Sequence, residues 1–134
     1  MATISYLEYS NRDLKYAKDM FSMSNYDPCG RFCQQSVEKR FKYYIEHYGN
    51  GTDKFILVSH NLSKLYARVC ELASISKDRV VVHEMLMLNS YYFDTNYPVK
   101  DGNIELTKEM AQEALEIAEK TNNWVDGLLS SSAN

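Results

Sequence analysis

Residues that interrupt helices are scarce in this chain of 134 residues, which contains five glycines and two prolines. Antiparallel sandwiches and barrels need many turn residues, so this scarcity favours a helical protein. No apolar run approaches the roughly 18–20 residues that span a bilayer, and the first residues lack the pattern of a signal peptide. We therefore expect a cytoplasmic protein with no membrane partner.

Cysteine is also sparse, and the three cysteines (Cys29, Cys33 and Cys70) lie in helical patterns, as is typical of a reducing compartment. Cys29 and Cys33 share a helix face, but zinc needs four ligands and no standard Cys/His spacing completes the set. Glycine-rich phosphate loops and the Gly-x-Ser-x-Gly motif of hydrolases are absent. We predict neither a metal site nor a cofactor.

Positive charge is not in excess, because the net charge is −3 and the isoelectric point is about 5.6. This balance argues against a surface coated for non-specific nucleic-acid binding, although it allows a local basic cleft. Hydrophobic residues make up 45% of the chain and charged residues 25%, which is ordinary globular usage. The length suits one domain over residues 1–134, with a disordered tail predicted at 130–134.

Apolar side chains recur at helical spacing in five stretches, and no convincing strand can be recognised. Asp27 and Pro28 suit the N-cap and the first position of the second helix. The apolar run at Phe55–Val58 is predicted to be a loop or helical turn. The result is an all-α, up-and-down bundle of four to five antiparallel helices. The predicted helices span Ser5–Met23, Pro28–Tyr48, Leu62–Ala73, Lys77–Phe93 and Thr107–Leu129.

The densest polar grouping lies in the second helix, at Gln34, Gln35, Glu38 and Lys39. Gln35, Glu38 and Lys39 are three and four residues apart, which predicts one polar ledge beside the apolar stripe. The ledge is either an ordinary helix surface with local pairing, or a set of amide, carboxylate and ammonium groups that binds a nucleotide or a partner's phosphate.

The end of the fourth helix is rich in tyrosine and asparagine. Asn89, Tyr92 and Asn96 recur at helical spacing and are predicted to share one side, close to Tyr97. Such aromatic side chains can stack on a base, or they can simply close the end of the bundle.

Two Arg–His pairs have the residue types that metal-independent RNA cleavage requires, with His as acid or base and Arg on the phosphate. Arg40 and His47 are seven residues apart, and Arg79 and His83 are four apart, so each pair is predicted to share a helix face. Either pair is equally compatible with a solvated or helix-pairing surface. No histidine, His60 included, can be joined to a hydrolytic nucleophile.

Four segments, in this order, resemble the HEPN family (higher eukaryotes and prokaryotes nucleotide-binding). A first helix leads to the Tyr26-Asp27 turn. The run from Cys33 to Lys39 is similar to the family's second helix, Ser59-His60-Asn61-Leu62 to its "H-x-L" entry to the third helix, and Tyr91 to Pro98 to its "Y-x-x-T/A-R-Y-P" ending. The resemblance covers about residues 13–124.

The resemblance implies a helical bundle that is commonly a homodimer and is often encoded beside a minimal nucleotidyltransferase. Some relatives are ribonuclease toxins with an Arg-x4-6-His signature in the late helix. Here Asn96 stands at the expected arginine, and no histidine follows within six residues. Arg79-x3-His83 is too short and too early, whereas Arg40-x6-His47 has the spacing but lies in the second helix.

We therefore expect a non-enzymatic nucleotide- or nucleic-acid-binding protein, dimeric, and the partner of a separately encoded nucleotidyltransferase in a toxin–antitoxin-like system. A divergent endoribonuclease toxin of the same family is the alternative, and an assembly protein without a ligand is a third. Lys39 is expected to contact a phosphate. Hydrogen bonds are expected from Gln35, Glu38, Asn89 and Asn96, and stacking from Tyr92 and Tyr97.

Overall fold

Five α-helices make up the fold, as the computed structural model shows for residues 4–96 and 105–132. Side chains of residues 93–96 and 132 are not described. Two short 3-10 turns follow α2, at 51–54 and 56–58, and the second covers most of the Phe55–Val58 run, which agrees with the predicted loop or helical turn. The helices are α1 (Tyr6–Ser22), α2 (Tyr26–Tyr48), α3 (Leu62–Ala73), α4 (Arg79–Asn96) and α5 (Lys108–Ser132).

Side-chain caps set the first residue of three helices. Ser5 and Glu8 form a reciprocal capping box before α1. Asn61 accepts from the Ser63 amide at the start of α3 (2.9 Å), and Asp78 accepts from the Val80 amide at the start of α4 (2.8 Å). Each cap provides an acceptor for an N–H group that has no partner within its own helix.

The second helix begins two residues earlier than predicted, and Asp27 does not cap it. The N-cap is Asn25, and Asp27 Oδ1 instead accepts from the Leu106 amide at 2.7 Å. Gly30 lies beside the same contact, where a Cβ atom would be 2.6 Å from the Leu106 side chain. Asp27 and Gly30 therefore fasten the segment before α5 to the first turns of α2.

The α2 helix is the centre of the bundle, and its apolar stripe is buried as the sequence predicted, except that Tyr48 at its end is exposed. The stripe packs against all four other helices. Burial of this surface is the main stabilising contribution to the fold. The buried stripe residues are Cys33, Val37, Phe41, Tyr44 and Ile45.

Contacts along the helices give their directions. Gln34 contacts His60 and Phe41 contacts Tyr66, so α2 and α3 run parallel. Residues 49–61 therefore cross back along α2 before α3 begins. The α1–α2 and α3–α4 neighbours are antiparallel, as predicted, whereas the parallel α2–α3 pair departs from the predicted up-and-down order. The crossover matters because it places residues 59–61 against the middle of α2.

The all-α bundle is confirmed, but the disordered tail predicted at 130–134 is wrong for the residues of it that the structure describes. The α5 helix continues to Ser132, so residues 130–132 are helical rather than a disordered tail, while 133 and 134 lie outside the described residues. No glycine or proline stops the helix at Leu129, and the half-buried Leu128 and Leu129 hold its last turns on the bundle. None of the described helices is both long and apolar enough to cross a membrane.

Candidate functional site

A column of polar side chains runs along α2 where the crossover returns. Gln34, Glu38 and Lys42 are spaced by four residues and therefore share one face. Glu38 Oε2 accepts from Lys42 Nζ at 3.1 Å, and both side chains are only 6% exposed. Gln34 Nε2 donates to the backbone carbonyl oxygen of His60 at 3.0 Å. A buried ion pair thus forms the floor of the site.

His60 lies above this floor and is the exposed member of the cluster. Its Nδ1 atom is 3.0 Å from Glu38 Oε1, and its side chain is 54% exposed. The imidazole ring stacks on the Tyr92 ring of α4, with 5.7 Å between centroids and 28° between planes. The histidine is therefore held at one edge by a carboxylate and on one face by an aromatic ring.

Two asparagines join α3 to α4 next to the histidine. Asn89 Oδ1 accepts from the Leu62 amide at 2.9 Å, and Asn89 Nδ2 donates to Asn61 Oδ1 at 3.1 Å. Asn89 is 8% exposed. Since Asn61 also caps α3, the pair fixes the start of that helix, and with it His60, against the last turns of α4.

The negative charge of Glu38 also affects Tyr6 in α1. The pKa of the Tyr6 hydroxyl is raised by burial and by the negative charges of Glu46 and Glu38. Lys42 opposes this negative potential from within the bundle. The site therefore presents a half-exposed stacked imidazole over a buried, internally paired carboxylate, an arrangement that can hold a planar ring by stacking and hydrogen bonding.

The predicted polar ledge is divided between two interfaces. Lys39 forms an ion pair with Asp13 of α1 and donates to Gln35 Oε1 at 3.2 Å. Glu38 instead faces the crossover and α4. Adjacent helical positions are about 100° apart around the axis. Lys39 therefore contacts α1 on one side of α2, and Glu38 contacts His60 on the other. Gln35 and Lys39 do not join the His60 cluster.

The Arg40–His47 pair does not come together. Arg40 is 4% exposed and lies in a buried polar layer between α1, α2 and α5. Its Nε donates to Ser10 Oγ at 2.9 Å, its Nη1 pairs with Asp126 at 2.6 Å, and its Nη2 binds Asn11. His47 is exposed near the end of α2, and its ring contacts the Tyr43 ring at a tilt of 47°. Arg40 is thus fully engaged inside the fold.

Arg79 and His83 are both exposed in the first turns of α4, and their spacing places them on one side of the helix. Tyr92 is nine residues beyond His83, about 13 Å along the helix axis. The second Arg–His pair is therefore separate from the His60 cluster.

The structure brings together three of the residues singled out from the sequence: Glu38, Asn89 and Tyr92. The Asn96 side chain and all of Tyr97 lie outside the described residues. Sequence reasoning did not place Gln34, Lys42 or His60 in the site. The four-residue spacing along α2 could have grouped Gln34, Glu38 and Lys42, and the "H-x-L" motif marked His60. Only the path of the crossover shows that the histidine lies against these side chains.

No group of three or more His, Cys, Asp or Glu side chains within 4–96 and 105–132 is arranged to hold a metal ion. The three cysteines are buried free thiols, and the hydrogen bond that the Cys33 thiol donates to Cys29, together with burial, raises the pKa of Cys33. These thiols pack in the core rather than at the site.

Comparison with solved structures identifies the same architecture elsewhere. TT1696 from Thermus thermophilus has a TM-score of 0.75 and 21% identity, covering 92% of this chain and 94% of that one. ST0689, described as an archaeal HEPN homologue, has a TM-score of 0.67 and 20% identity, covering 91% and 93%. At these identities the likeness establishes the fold.

Comparison with curated protein sequences gave no match. The model of the HEPN domain matches residues 5–128, which include every described element of the site. That match spans nearly the whole chain and agrees with the fold of both solved relatives, so this protein belongs to the HEPN family.

Proposed function

We propose that this protein binds a nucleotide or a short stretch of single-stranded nucleic acid at the His60 cluster and does not cleave it. The observation that carries the proposal is the half-exposed His60 ring, stacked on Tyr92 and held at its edge by the buried Glu38. Base stacking on aromatic side chains is a general means of nucleotide binding. The HEPN family, which is related to nucleotides and RNA, supports the same class of ligand.

Four side chains are assigned to this binding site. Tyr92 and His60 supply the stacking surface, and Glu38 and Asn89 hold the histidine and its segment in place. Lys39 was expected to contact a phosphate, but its ammonium group is already paired with Asp13. The proposal therefore leaves Lys39 in the α1–α2 interface, with its amide neighbour Gln35.

The position of Arg40 argues against cleavage by the first of the two Arg–His pairs. A ribonuclease of this kind needs His and Arg on the same phosphate. Arg40 is buried among Ser10, Asn11 and Asp126, which removes it from any such role. Arg79 and His83 are exposed together, so this pair is the one that an activity assay must exclude.

Two partners complete the proposal. We propose a homodimer, and a separately encoded minimal nucleotidyltransferase as a second partner in a toxin–antitoxin-like system. The family resemblance supports both. A nucleotide-binding site on this chain would give the two proteins a shared ligand.

Calorimetry with a nucleotide panel tests the binding proposal. We expect His60→Ala to weaken binding by about 1–3 kcal/mol, the usual contribution of a base-stacking aromatic contact. The matched control is His47→Ala, which removes another exposed histidine in contact with a tyrosine ring but lies away from the cluster. Equal losses in both variants, or no heat with any nucleotide at millimolar concentration, would contradict the proposal.

RNA incubation tests the non-enzymatic claim. The purified protein should leave RNA intact, and its expression should be harmless to the host cell. Metal-free cleavage that disappears in His83→Ala, with an unchanged circular dichroism spectrum, would instead establish the ribonuclease reading and assign it to Arg79 and His83.

A further inference from the structure

The tautomer of His60 is fixed by its contact with Glu38. A buried carboxylate that already pairs with Lys42 is a hydrogen-bond acceptor only, so the His60 Nδ1 atom must carry the hydrogen in this contact. In the neutral ring Nε2 is then an acceptor with a lone pair, and it becomes a donor only when the ring is protonated. Within the described side chains Nε2 has no hydrogen-bond partner.

Most neighbouring donors that could bind an anion are already used. The amides of Asn61, Leu62 and Ser63 at the start of α3 donate to side-chain oxygens, at 3.1, 2.9 and 2.9 Å. Three cations in the middle of α2 are each paired with a carboxylate: Lys39 with Asp13, Arg40 with Asp126 and Lys42 with Glu38. Neither the helix end nor these side chains offer a phosphate a free donor.

We propose that His60 is the anion-binding group of the site: its protonated ring donates from Nε2 to a phosphate oxygen of the bound nucleotide, so that binding takes up a proton. This inference rests on the proposed function and names the part of the ligand that His60 recognises. It predicts that a phosphate-bearing ligand binds more tightly as the pH falls, whereas a nucleoside without phosphate does not.

Titratable groups of α2 and α4 contact His60 or the carboxylate beside it. Glu38 on α2 lies at the Nδ1 edge of the ring, and Lys42 pairs with the same carboxylate. Tyr92 of α4 covers one face, and Tyr6 of α1 lies within the field of Glu38. Imidazole is the side chain that ordinarily changes charge between about pH 5 and 8. A proton taken up on binding can therefore be detected by measuring affinity on either side of that range.

The test is calorimetry at about pH 5.5 and about pH 8, on either side of that range. Phosphomonoesters also titrate near pH 6, so the probes are the four deoxydinucleoside monophosphates with two identical bases, whose diester keeps a constant charge. We expect at least one of them to bind about tenfold more tightly at the lower pH, the scale of a charge-assisted hydrogen bond. The matching deoxynucleosides should change by less than about twofold.

Two variants assign the effect. In His60→Gln the pH dependence should disappear, while in His47→Gln it should remain, because His47 lies near the far end of α2. Equal affinity at both pH values, or a pH dependence that persists in His60→Gln, overturns this inference and leaves the proposed function standing. No binding of any dinucleotide or deoxynucleoside at either pH overturns both.

Discussion

Gly49, at the end of α2, is where a single methyl group is expected to be most damaging to the crossover. A Cβ atom there would be 2.5 Å from the Ile45 carbonyl oxygen and 2.3 Å from Asp53 Oδ2. The first is backbone within the helix, so it cannot move aside without disturbing the 2.7 Å hydrogen bond from the Gly49 amide to Ile45. The second is the carboxylate that Arg68 binds through two nitrogen atoms.

The expected cost of Gly49→Ala follows from these two contacts. Overpacking ordinarily costs 1–3 kcal/mol, and displacing Asp53 weakens charge-assisted hydrogen bonds worth about 1.5–3 kcal/mol. The contributions overlap because relief of one clash relieves part of the other, so we expect a loss of about 2–3 kcal/mol in the free energy of unfolding. For a domain of this size that corresponds to a fall of roughly 6–15 °C in Tm.

Thermal and urea unfolding followed by circular dichroism measure this loss. The matched control is Gly51→Ala, two residues further along the same connection, where a Cβ atom meets nothing within 4 Å. That variant should stay within about 0.5 kcal/mol of the wild type. Equal stability of the two variants would refute the argument that the tight packing at Gly49 holds the crossover in place.

Three further predictions concern charge and assembly. The hydrogen bonds from Arg68 hold the pKa of Asp53 below its usual 3.8. The Asp53 carboxylate therefore stabilises the fold above that pH, and this stabilisation is lost as the pH falls through the lower pKa of the folded protein. The difference in urea midpoint between wild type and Asp53→Asn should shrink as the pH is lowered toward about 2.5. Lys39→Met should cost about 1–3 kcal/mol because it leaves the buried Asp13 unpaired, and adding Asp13→Asn should recover part of that loss in a double-mutant cycle. Light scattering should give a dimer at micromolar concentration, and a monomer there would contradict the proposed assembly.

The helices were predictable from the sequence because their signals are local. Apolar spacing and the scarcity of glycine and proline act within one or two turns. Boundaries failed where a distant contact competes with a local one. Asp27 has the residue type of a cap, but the Leu106 amide occupies its carboxylate, so Asn25 begins α2 instead.

The site was only partly predictable, because it depends on which side of α2 each neighbour covers. Spacing alone grouped Glu38 with Lys39, whereas α1 engages Lys39 and the crossover engages Glu38. His60 belonged to a recognised motif, but the sequence did not assign it to the cluster. Its position depends on residues 49–61, which turn back along α2 and place His60 beside Glu38. Periodicity within a helix does not encode the path of the connection that follows it.

Chemical-shift mapping of the labelled protein, with a nucleotide that binds in calorimetry, tests whether the ligand lies at the His60 cluster. We expect the perturbed signals to concentrate on His60, Asn61, Asn89 and Tyr92. The ring nitrogen shifts of His60 should also change, whereas those of His47 should not. Perturbations centred on Arg79 and His83 in the first turns of α4, with the His60 signals unmoved, would contradict this expectation.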